Sequence, residues 1–237
     1  MVTGEIIQQV FAIRTDAGTG TAFTVRLENK QYIVTARHVL DGDGTHAIDD
    51  VIRIDFQQGS TWHSVSCAVV GVGDTQFDIA VLAAPQLLAR FDELALGTDG
   101  IVYGQDVYFL GFPFGLQGDV GAVNNGYPLP YVKKAIVSMV NGPGRPNIVL
   151  DGINNVGFSG GPVVFRNGSG AWQVAAVVSG FNTVRESTYV GDTDATAPYT
   201  YDVNTGLIEA CPLEVALNLI RARPIGFPME SAKNPVS

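Results

Sequence analysis

Short runs of β-branched and aromatic residues recur along most of the chain, separated by clusters of Gly, Asn, Asp and Pro. Representative runs are T-A-F-T-V-R-L, Q-Y-I-V-T, V-I-R-I-D-F, V-Y-F-L, N-I-V-L and V-A-A-V-V-S-G-F. Roughly a dozen such strands with turn signals between them predict a sandwich or barrels rather than alternating strand–helix units. The segment P-L-E-V-A-L-N-L-I-R-A-R, from Pro212, instead has apolar residues at helical spacing, with Pro at its start and basic residues at its end. It predicts one C-terminal helix.

Residues 84–104 break this strand rhythm between two groups of about six strands. We therefore expect an all-β fold of two tandem barrels, with an N-terminal barrel over residues 1–90 and a second barrel plus the C-terminal helix over residues 91–223. Residues 224–237 are expected to form a flexible tail.

Two further segments, residues 115–130 and 184–204, are rich in turn-forming residues and are expected to be long loops. Loops of this length in a compact domain are usually functional or mobile. The first of them is a candidate gate or oligomer contact.

Composition narrows the class of protein. Of the 237 residues, 46% are hydrophobic and 16% charged, which is typical of a compact, turn-rich globule. The formal net charge is -9 without a dense stripe of Lys and Arg, so nucleic acid is not an expected partner. No apolar run approaches the ~20 residues of a membrane span, and the N-terminus lacks a signal-peptide pattern. We expect a cytoplasmic chain as written, with export left open if a leader was removed.

The two cysteines, Cys67 and Cys211, lie far apart in the sequence, and neither has a neighbouring Cys or His at metal-ligand spacing. We interpret both as buried thiols, with a disulfide between them as the alternative. No metal site is expected from this pattern.

A candidate nucleophile lies in the stretch G-F-S-G-G-P, where Ser159 has glycines on both sides. Such glycines permit a tight turn that directs the serine Oγ outward, and Gly157 can present its backbone N–H to a developing oxyanion. An ordinary Gly-rich turn is the structural alternative.

Acyl transfer by serine also needs a base and an acid that orients the base. His38 ends an apolar strand in Y-I-V-T-A-R-H-V-L, where a short helical turn would direct its ring outward, whereas His46 and His63 lack such a setting. Asp78 immediately precedes the strand I-A-V-L. It could instead cap a turn, and Asp74 is its nearest competitor.

The order His, Asp, Ser, with each residue at the edge of a strand, resembles that of the trypsin-like serine proteases. Within them the chain is similar to the HtrA (Deg) protease domain and related bacterial peptidases, without a PDZ domain after it. The matching motifs run in order from about Gly18 to Ile220: G-T-G-T-A-F, T-A-R-H, F-D-I-A-V-L, L-G-F-P-F-G-L, A-I-V-S, G-F-S-G-G-P-V-V and V-S-G-F-N-T.

The resemblance implies a chymotrypsin-like fold of two six-stranded antiparallel barrels with the active site between them. It implies a serine endopeptidase in which His38 is general base and then general acid, Asp78 fixes its tautomer and Ser159 attacks the peptide carbonyl. The N–H groups of Gly157 and Ser159 would form the oxyanion hole. The substrate would be a polypeptide, and the reaction needs neither metal nor cofactor.

Phe158 departs from the family pattern, because trypsin has an aspartate there that receives the ammonium of the new N-terminus after zymogen cleavage. Phe158 cannot accept that charge, so activity should not depend on N-terminal processing. We expect the ring to pack beneath the oxyanion turn. The alternative is an inactive domain that binds peptides or serves as a scaffold, with the ring tilting the Gly157 N–H out of position.

The resemblance also indicates a specificity pocket, with Ile153 at its base and Ser179, Gly180 and Phe181 in its wall. Since no acid lies at the base to pair with Lys or Arg, we expect small or medium apolar residues before the cleaved bond. Backbone groups of the wall strand would pair with the substrate as an added β-strand.

Overall fold

The structure is a computed structural model and describes residues 2–41, 46–89, 94–118, 124, 126–140, 147–192 and 195–229. Its first half contains α1 (Gly4–Ile7), β1 (Val10–Thr15), β2 (Gly18–Leu27), β3 (Lys30–Thr35), α2 (Arg37–Asp41), β4 (Val51–Gln58), β5 (Thr61–Val72) and β6 (Ala80–Ala83). Strands β1 to β6 pair antiparallel in the order β3-β2-β1-β4-β5-β6, and β6 pairs back with β3. They form a closed six-stranded barrel.

A second ring of six strands follows. The second half of the chain contains β7 (Ala95–Leu96), β8 (Asp106–Gly111), a 3-10 turn (Pro113–Gly115), β9 (Tyr131–Met139), β10 (Ile148–Asp151), β11 (Pro162–Arg166), β12 (Trp172–Tyr189), β13 (Thr196–Pro212), α3 (Leu213–Ala222) and β14 (Phe227–Pro228). The ring consists of β8 to β13, whereas β14 pairs with β3 of the first barrel. The order is β11-β8-β9-β10-β13-β12, closed by pairing of β12 with β11, while the short β7 adds a parallel pairing to β12. The prediction of a chymotrypsin-like fold with two β-barrels is confirmed.

Alternation along the strands explains why these segments form barrels. In β4, Val51 and Arg53 are exposed while Ile52 and Ile54 are buried, so one face of the strand points into the barrel and the other into solvent. Each barrel has its own fully buried aromatic side chains, with Phe11 and Phe56 in the first and Phe109, Phe158 and Phe165 in the second.

The C-terminal helix is confirmed over Leu213–Ala222, with Pro212 as its N-cap residue. Its apolar face is buried, including Ala216 and Ile220, and Leu219 lies close to Gly71 of β5. Helix α3 therefore packs the end of the second barrel against the first. No helix in the described part of the chain is long and apolar enough to cross a membrane.

The expectation of a long loop over residues 184–204 is wrong. Strands β12 and β13 continue through this region as a two-stranded ribbon that projects from the second barrel, with Val184 opposite Val203 and Ser187 opposite Thr200. Alternating β-branched and aromatic residues on both strands favour pairing. Beyond the paired strands, the Val190 N–H donates to the Ala195 carbonyl at 2.9 Å, and residues 193–194 between them lie outside the described residues.

Two other segments are described in part. Gly118 and Leu129 pair across the base of the stretch expected as a loop at 115–130, whose residues 119–123 and 125 lie outside the described residues. In the stretch expected as a tail, Phe227 pairs with Gln31 of β3, and residues 230–237 lie outside the description.

Both cysteines are buried thiols without a disulfide, as the sequence predicted. Burial raises the pKa of Cys67 to about 12. The pKa of the Cys211 thiol is also raised, chiefly by burial and further by the nearby carboxylates of Asp78, Asp74 and Glu214. Neither thiol is therefore a ready nucleophile.

Candidate active site

His38 and Asp78 meet beside two paired strands of the first barrel, β3 and β6. Helix α2 begins at Arg37, directly after strand β3, and Asp78 lies just before β6. Asp78 Oδ2 lies 2.6 Å from His38 Nδ1, and Asp78 Oδ1 accepts a hydrogen bond from the His38 backbone N–H at 3.0 Å. Because a carboxylate only accepts, Nδ1 carries the ring proton and Nε2 of the neutral ring is left as a base.

Asp74, the competing acid in the sequence, has a different role. Its Oδ1 accepts a hydrogen bond from the Gln76 N–H at 2.8 Å, which closes the turn before Asp78. Arg37 Nη1 donates to the carbonyls of Gly73 and Asp74, both at 3.1 Å. The loop that carries Asp78 is thereby tied to the helix that carries His38.

Ser159 is half-buried in a tight turn between β10 and β11. The turn is attached to β12 by two backbone hydrogen bonds, from the Gly160 N–H to the Val178 carbonyl (2.8 Å) and from the Val178 N–H to the Gly161 carbonyl (2.9 Å). These bonds fix the nucleophile candidate to a strand of the second barrel.

The same turn packs tightly against the first barrel. Gly160 has a φ of +85°, and a Cβ there would overlap the Thr21 carbonyl and the Thr35 hydroxyl and lie 2.9 Å from the Ala36 nitrogen. Only glycine fits such a position. Since Ala36 lies two residues before His38, the turn of Ser159 and the segment of His38 meet at the boundary between the barrels.

The peptide before Gly157 is oriented by its carbonyl. The Val156 oxygen accepts a hydrogen bond from the Phe114 N–H at 2.8 Å. All described peptide bonds are trans, so the Gly157 N–H points away from Phe114. A Cβ at Gly157, whose φ is +104°, would overlap the Phe112 carbonyl.

Two backbone donors of this turn are unpaired. Neither the Gly157 N–H nor the Ser159 N–H donates a hydrogen bond to a protein acceptor among the described residues. Unpaired backbone donors at a partly buried turn are uncommon. Two neighbouring N–H groups of this kind are suited to bind an anionic oxygen.

Phe158 packs beneath the turn as expected. Its side chain is fully buried, and its ring meets that of Phe109 edge to face with centroids 4.9 Å apart. The Lys133 ammonium lies 5.7 Å from the centroid of the Phe158 ring. The ring therefore belongs to the core of the second barrel and anchors the turn by buried area.

Thr21 is a site residue that the sequence did not reveal. Its hydroxyl donates to the Gly157 carbonyl (2.7 Å) and accepts from the Phe112 N–H (3.2 Å), and its backbone N–H donates to the Ser159 carbonyl (2.9 Å). The motif G-T-G-T-A-F contains it, but a threonine in a strand signals only β-propensity. Its long-range partners have no signature in a single sequence.

Lys133 of β9 was also missed. Its ammonium donates to the Asn155 side-chain oxygen at 3.0 Å and to the Ile153 carbonyl. Partial burial lowers the pKa of this ammonium. Lys133 holds residues 153–155, which lead into the oxyanion turn.

The residues expected to form a specificity pocket lie on two facing segments. Ile153 is 53% exposed, and Ser179 and Phe181 are partly buried on β12. The buried side chain of Asn154 donates to the Gly180 carbonyl at 3.4 Å, so it ties the two segments together. Ile153 at the base and Ser179, Gly180 and Phe181 in the wall stay a prediction.

The other two histidines have local partners. His63 Nε2 lies 3.0 Å from the Thr61 hydroxyl on β5, and His46 Nδ1 lies 3.9 Å from Asp50 Oδ2. Within the described ranges, no group of three or more His, Cys, Asp or Glu side chains has an arrangement that could hold a metal ion.

Comparisons with known proteins place the chain in a family. A family model of the trypsin-like peptidase domain matches residues 18–171, which contain His38, Asp78 and Ser159. Among solved structures, the inactive form of a serine-to-alanine mutant of Rv3671c from M. tuberculosis H37Rv is similar, with a TM-score of 0.54 and 20% identity over 98% of this chain and 91% of that one.

A second structure of the Rv3671c protease, also in an inactive form, has a TM-score of 0.54 and 19% identity, covering 92% of this chain and 90% of that chain. Such distant likeness bears on the fold alone. A comparison with curated proteins found no match. Because the family model matches more than half of the sequence, the chain belongs to the family of trypsin-like peptidase domains.

Proposed function

We propose that the protein is a serine endopeptidase that cleaves polypeptides with His38, Asp78 and Ser159 as its catalytic triad. The observation that carries this proposal is the two-point contact of Asp78 with His38, through the ring Nδ1 (2.6 Å) and the backbone N–H (3.0 Å). A carboxylate that accepts hydrogen bonds from both groups fixes the orientation of the imidazole ring as well as its tautomer.

Catalysis proceeds by acyl transfer. Ser159 Oγ attacks the peptide carbonyl carbon while His38 Nε2 takes its proton, and the carbonyl oxygen becomes an anion held by the Gly157 and Ser159 N–H groups. Each such donor contributes about 3 to 4 kcal/mol to stabilising this intermediate. His38 then gives the proton to the leaving amine, and water hydrolyses the acyl-enzyme by the same route in reverse.

Substrate binds to the part of strand β12 that follows Val178. Its segment Ser179–Phe181 pairs with the residues before the cleaved bond, and Ile153 lines the base of the pocket for the last of them. Without a carboxylate at that base, small or medium apolar side chains are preferred over Lys and Arg. Cleavage rates of peptides that differ only in Ala, Val or Arg before the cleaved bond test this preference.

The buried state of Phe158 bears on regulation and on the inactive alternative. A fully buried ring in contact with Phe109 cannot receive an N-terminal ammonium, so the enzyme needs no zymogen cleavage. The inactive alternative required this ring to displace the Gly157 N–H. Its packing into the core, away from two unpaired donors, supports an active enzyme instead.

Labelling with a fluorophosphonate probe tests the proposal. The wild type should be labelled covalently, the Ser159→Ala variant should not, and Ser187→Ala, which alters an exposed serine of the ribbon, should be labelled like the wild type. Absence of labelling of the folded wild type at every pH between about 6 and 9 would refute a nucleophilic Ser159.

A further inference from the structure

One edge of β12 is open from the candidate nucleophile outward. The last backbone bonds on this edge join Val178 to Gly160 and Gly161, next to Ser159. Strand β12 continues to Tyr189, and no described strand pairs with this edge beyond Val178. At about 3.3 Å per residue, the open edge is roughly 35 Å long.

The direction of β12 determines what an added strand would be. The strand runs away from Ser159, so a polypeptide that pairs antiparallel with it runs toward Ser159. The segment nearest the serine is Ser179–Phe181, which the proposed function already assigns to the residues just before the cleaved bond. An added chain that continued past Phe181 would be the part of the substrate further toward its N-terminus.

Backbone groups on the open edge are oriented for pairing. The Asn182 carbonyl accepts a hydrogen bond from the Thr205 hydroxyl of β13 at 2.9 Å, so it faces into the ribbon. Successive residues of a strand direct their backbone groups to opposite edges. The register shifts at this point, but the extra residues belong to β13, because Phe181 pairs with Ile208 and Thr183 with Asn204. The alternation of β12 is therefore kept, and the N–H and carbonyl of Thr183 face outward.

The edge also lacks the features that usually block strand addition. From Ser179 to Tyr189 there is no proline, and the two charged side chains, Arg185 and Glu186, both have partners on β13: Asp202 at 2.9 Å and the Tyr201 hydroxyl at 3.2 Å. The opposite edge of the ribbon is different, because Asn204 of β13 is bonded to the Asn154 carbonyl and Pro198 lies near the tip. Proline and charged side chains are common protectors of edge strands.

One face of the ribbon exposes apolar side chains. Val184 pairs with Val203, and the next pair on that face is Glu186 with Tyr201. Val184 and Tyr201 are 52% and 50% exposed. A third strand on the open edge would place every second side chain beside Val184 and Glu186, where apolar contact is available.

On the basis of the proposed function, we propose that the open edge of β12 beyond Phe181 is an extended substrate site. It binds an unfolded stretch of polypeptide, with apolar side chains at alternate positions, on the N-terminal side of the residues held by Ser179–Phe181. Because this edge continues directly from the segment beside Ser159, we assign it to the substrate rather than to a second copy of the chain.

The experiment compares peptides that share the three residues before the cleaved bond and a fluorogenic leaving group. They carry about three, six or nine residues before that bond, with apolar residues at alternate added positions. We expect kcat/KM of the wild type to rise by about tenfold or more from the shortest to the longest peptide. The rise should appear mainly as a lower KM, because the added contacts bind ground and transition state alike.

Two variants remove the site and one is a matched control. Thr183→Pro deletes an outward N–H without breaking a bond of the ribbon, whereas Thr183→Val keeps it. A shortened ribbon, with residues 185–202 replaced by an Asn-Gly turn, removes most of the edge. Thr183→Pro and the shortened ribbon should cleave the shortest peptide like the wild type, but their kcat/KM should no longer rise with peptide length. In Thr183→Val, kcat/KM should still rise with length as in the wild type.

The outcomes separate the two proposals. If the shortest peptide is cleaved but kcat/KM does not rise with peptide length, the extended site is overturned and the proposed endopeptidase activity stands. A concentration-dependent dimer that the shortened ribbon abolishes, without any dependence on length, would assign the edge to a second copy and also overturn it. If nothing is cleaved, binding of the same peptides to Ser159→Ala decides: affinity that rises with length supports the site although the endopeptidase fails, and flat affinity overturns both.

Discussion

The hydroxyl of Thr21, in the first barrel, donates a hydrogen bond to the carbonyl of Gly157, 2.7 Å away in the second. The Thr21 N–H also donates to the Ser159 carbonyl at 2.9 Å. One residue therefore holds the candidate nucleophile turn on both sides of Phe158. The position of the unpaired Gly157 N–H depends on this contact, because Gly157 is restrained at its carbonyl by Thr21 and at the preceding peptide by Phe114.

Thr21→Val should weaken both stability and reactivity. The substitution keeps the shape but leaves the Gly157 carbonyl and the Phe112 N–H without a partner, which costs about 2 to 4 kcal/mol of the free energy of unfolding. Urea unfolding measures that loss, and the rate of fluorophosphonate labelling should fall as well. Thr21→Ser retains the hydroxyl and should be labelled like the wild type. Equal labelling of Thr21→Val and wild type would contradict a positioning role.

Asp78→Asn should abolish activity with little change in stability. The His38 backbone N–H needs an acceptor, so the amide oxygen stays there and the amide NH₂ turns toward the ring. Nδ1 must then accept, and Nε2 becomes protonated and is no longer a base. We expect kcat for peptide cleavage to fall by about 10⁴. Asp74→Asn, whose side-chain oxygen only closes a turn, is the control and should keep full activity.

Gly160→Ala should be far more damaging than Gly168→Ala. A Cβ at Gly160 would overlap the Thr21 carbonyl and the Thr35 hydroxyl, whereas a Cβ at Gly168 meets nothing within 4 Å. The first substitution should lower the melting temperature and prevent labelling, since the turn must move away from the first barrel. The second should leave both unchanged. A fully labelled Gly160→Ala would show that this close packing is not needed.

Phe158 should be required for stability and not obstruct the site. Phe158→Ala removes a fully buried ring and should cost about 3 to 5 kcal/mol, measured by chemical unfolding. Phe158→Leu keeps an apolar side chain and should still be labelled by the fluorophosphonate. Phe158→Asn tests the opposite view: faster labelling than the wild type would show that the ring disturbs the oxyanion hole.

Asp55 should make the first barrel sensitive to acid. Hydrogen bonds from the Ser64 hydroxyl and then from Arg14 lower the pKa of Asp55 from 3.8 to about 2. Because the folded pKa is the lower one, this contribution to stability is complete above about pH 4 and is lost as the pH falls toward 2. Urea midpoints across that range should fall less steeply in Asp55→Asn, and also in Ser64→Ala. If the urea midpoint of Asp55→Asn fell with pH as steeply as that of the wild type, this role of Asp55 would be contradicted.

Much of the fold was predictable because its signals are local. Alternation such as V-I-R-I-D-F indicates strands and turn residues separate them, while His38 and Asp78 each lie beside a strand of recognisable pattern. The Thr21 contact could not be predicted, because it joins residues 136 positions apart. Lys133 was missed for the same reason, since a lysine on a strand gives no sign of which backbone it will hold.

The ribbon was missed because two local signals conflict. Residues 191–198, G-D-T-D-A-T-A-P, favour a loop, and they outweighed the alternation of Val184, Tyr199 and Tyr201 on either side. Strand pairing wins where both flanks are β-formers that can lie opposite one another. The turn composition specifies only where the two strands reverse.

The packing of Gly160 against Thr21 and Ala36 has a consequence for a chain still being synthesised. The turn belongs to the second barrel by sequence, yet one side of it packs against residues of the first barrel. A fragment that contains either barrel alone cannot hold Ser159, His38 and the two unpaired N–H donors of the turn together. If the proposed function holds, docking of the two barrels completes the active site, and a chain that carries only one folded barrel is expected to be inactive.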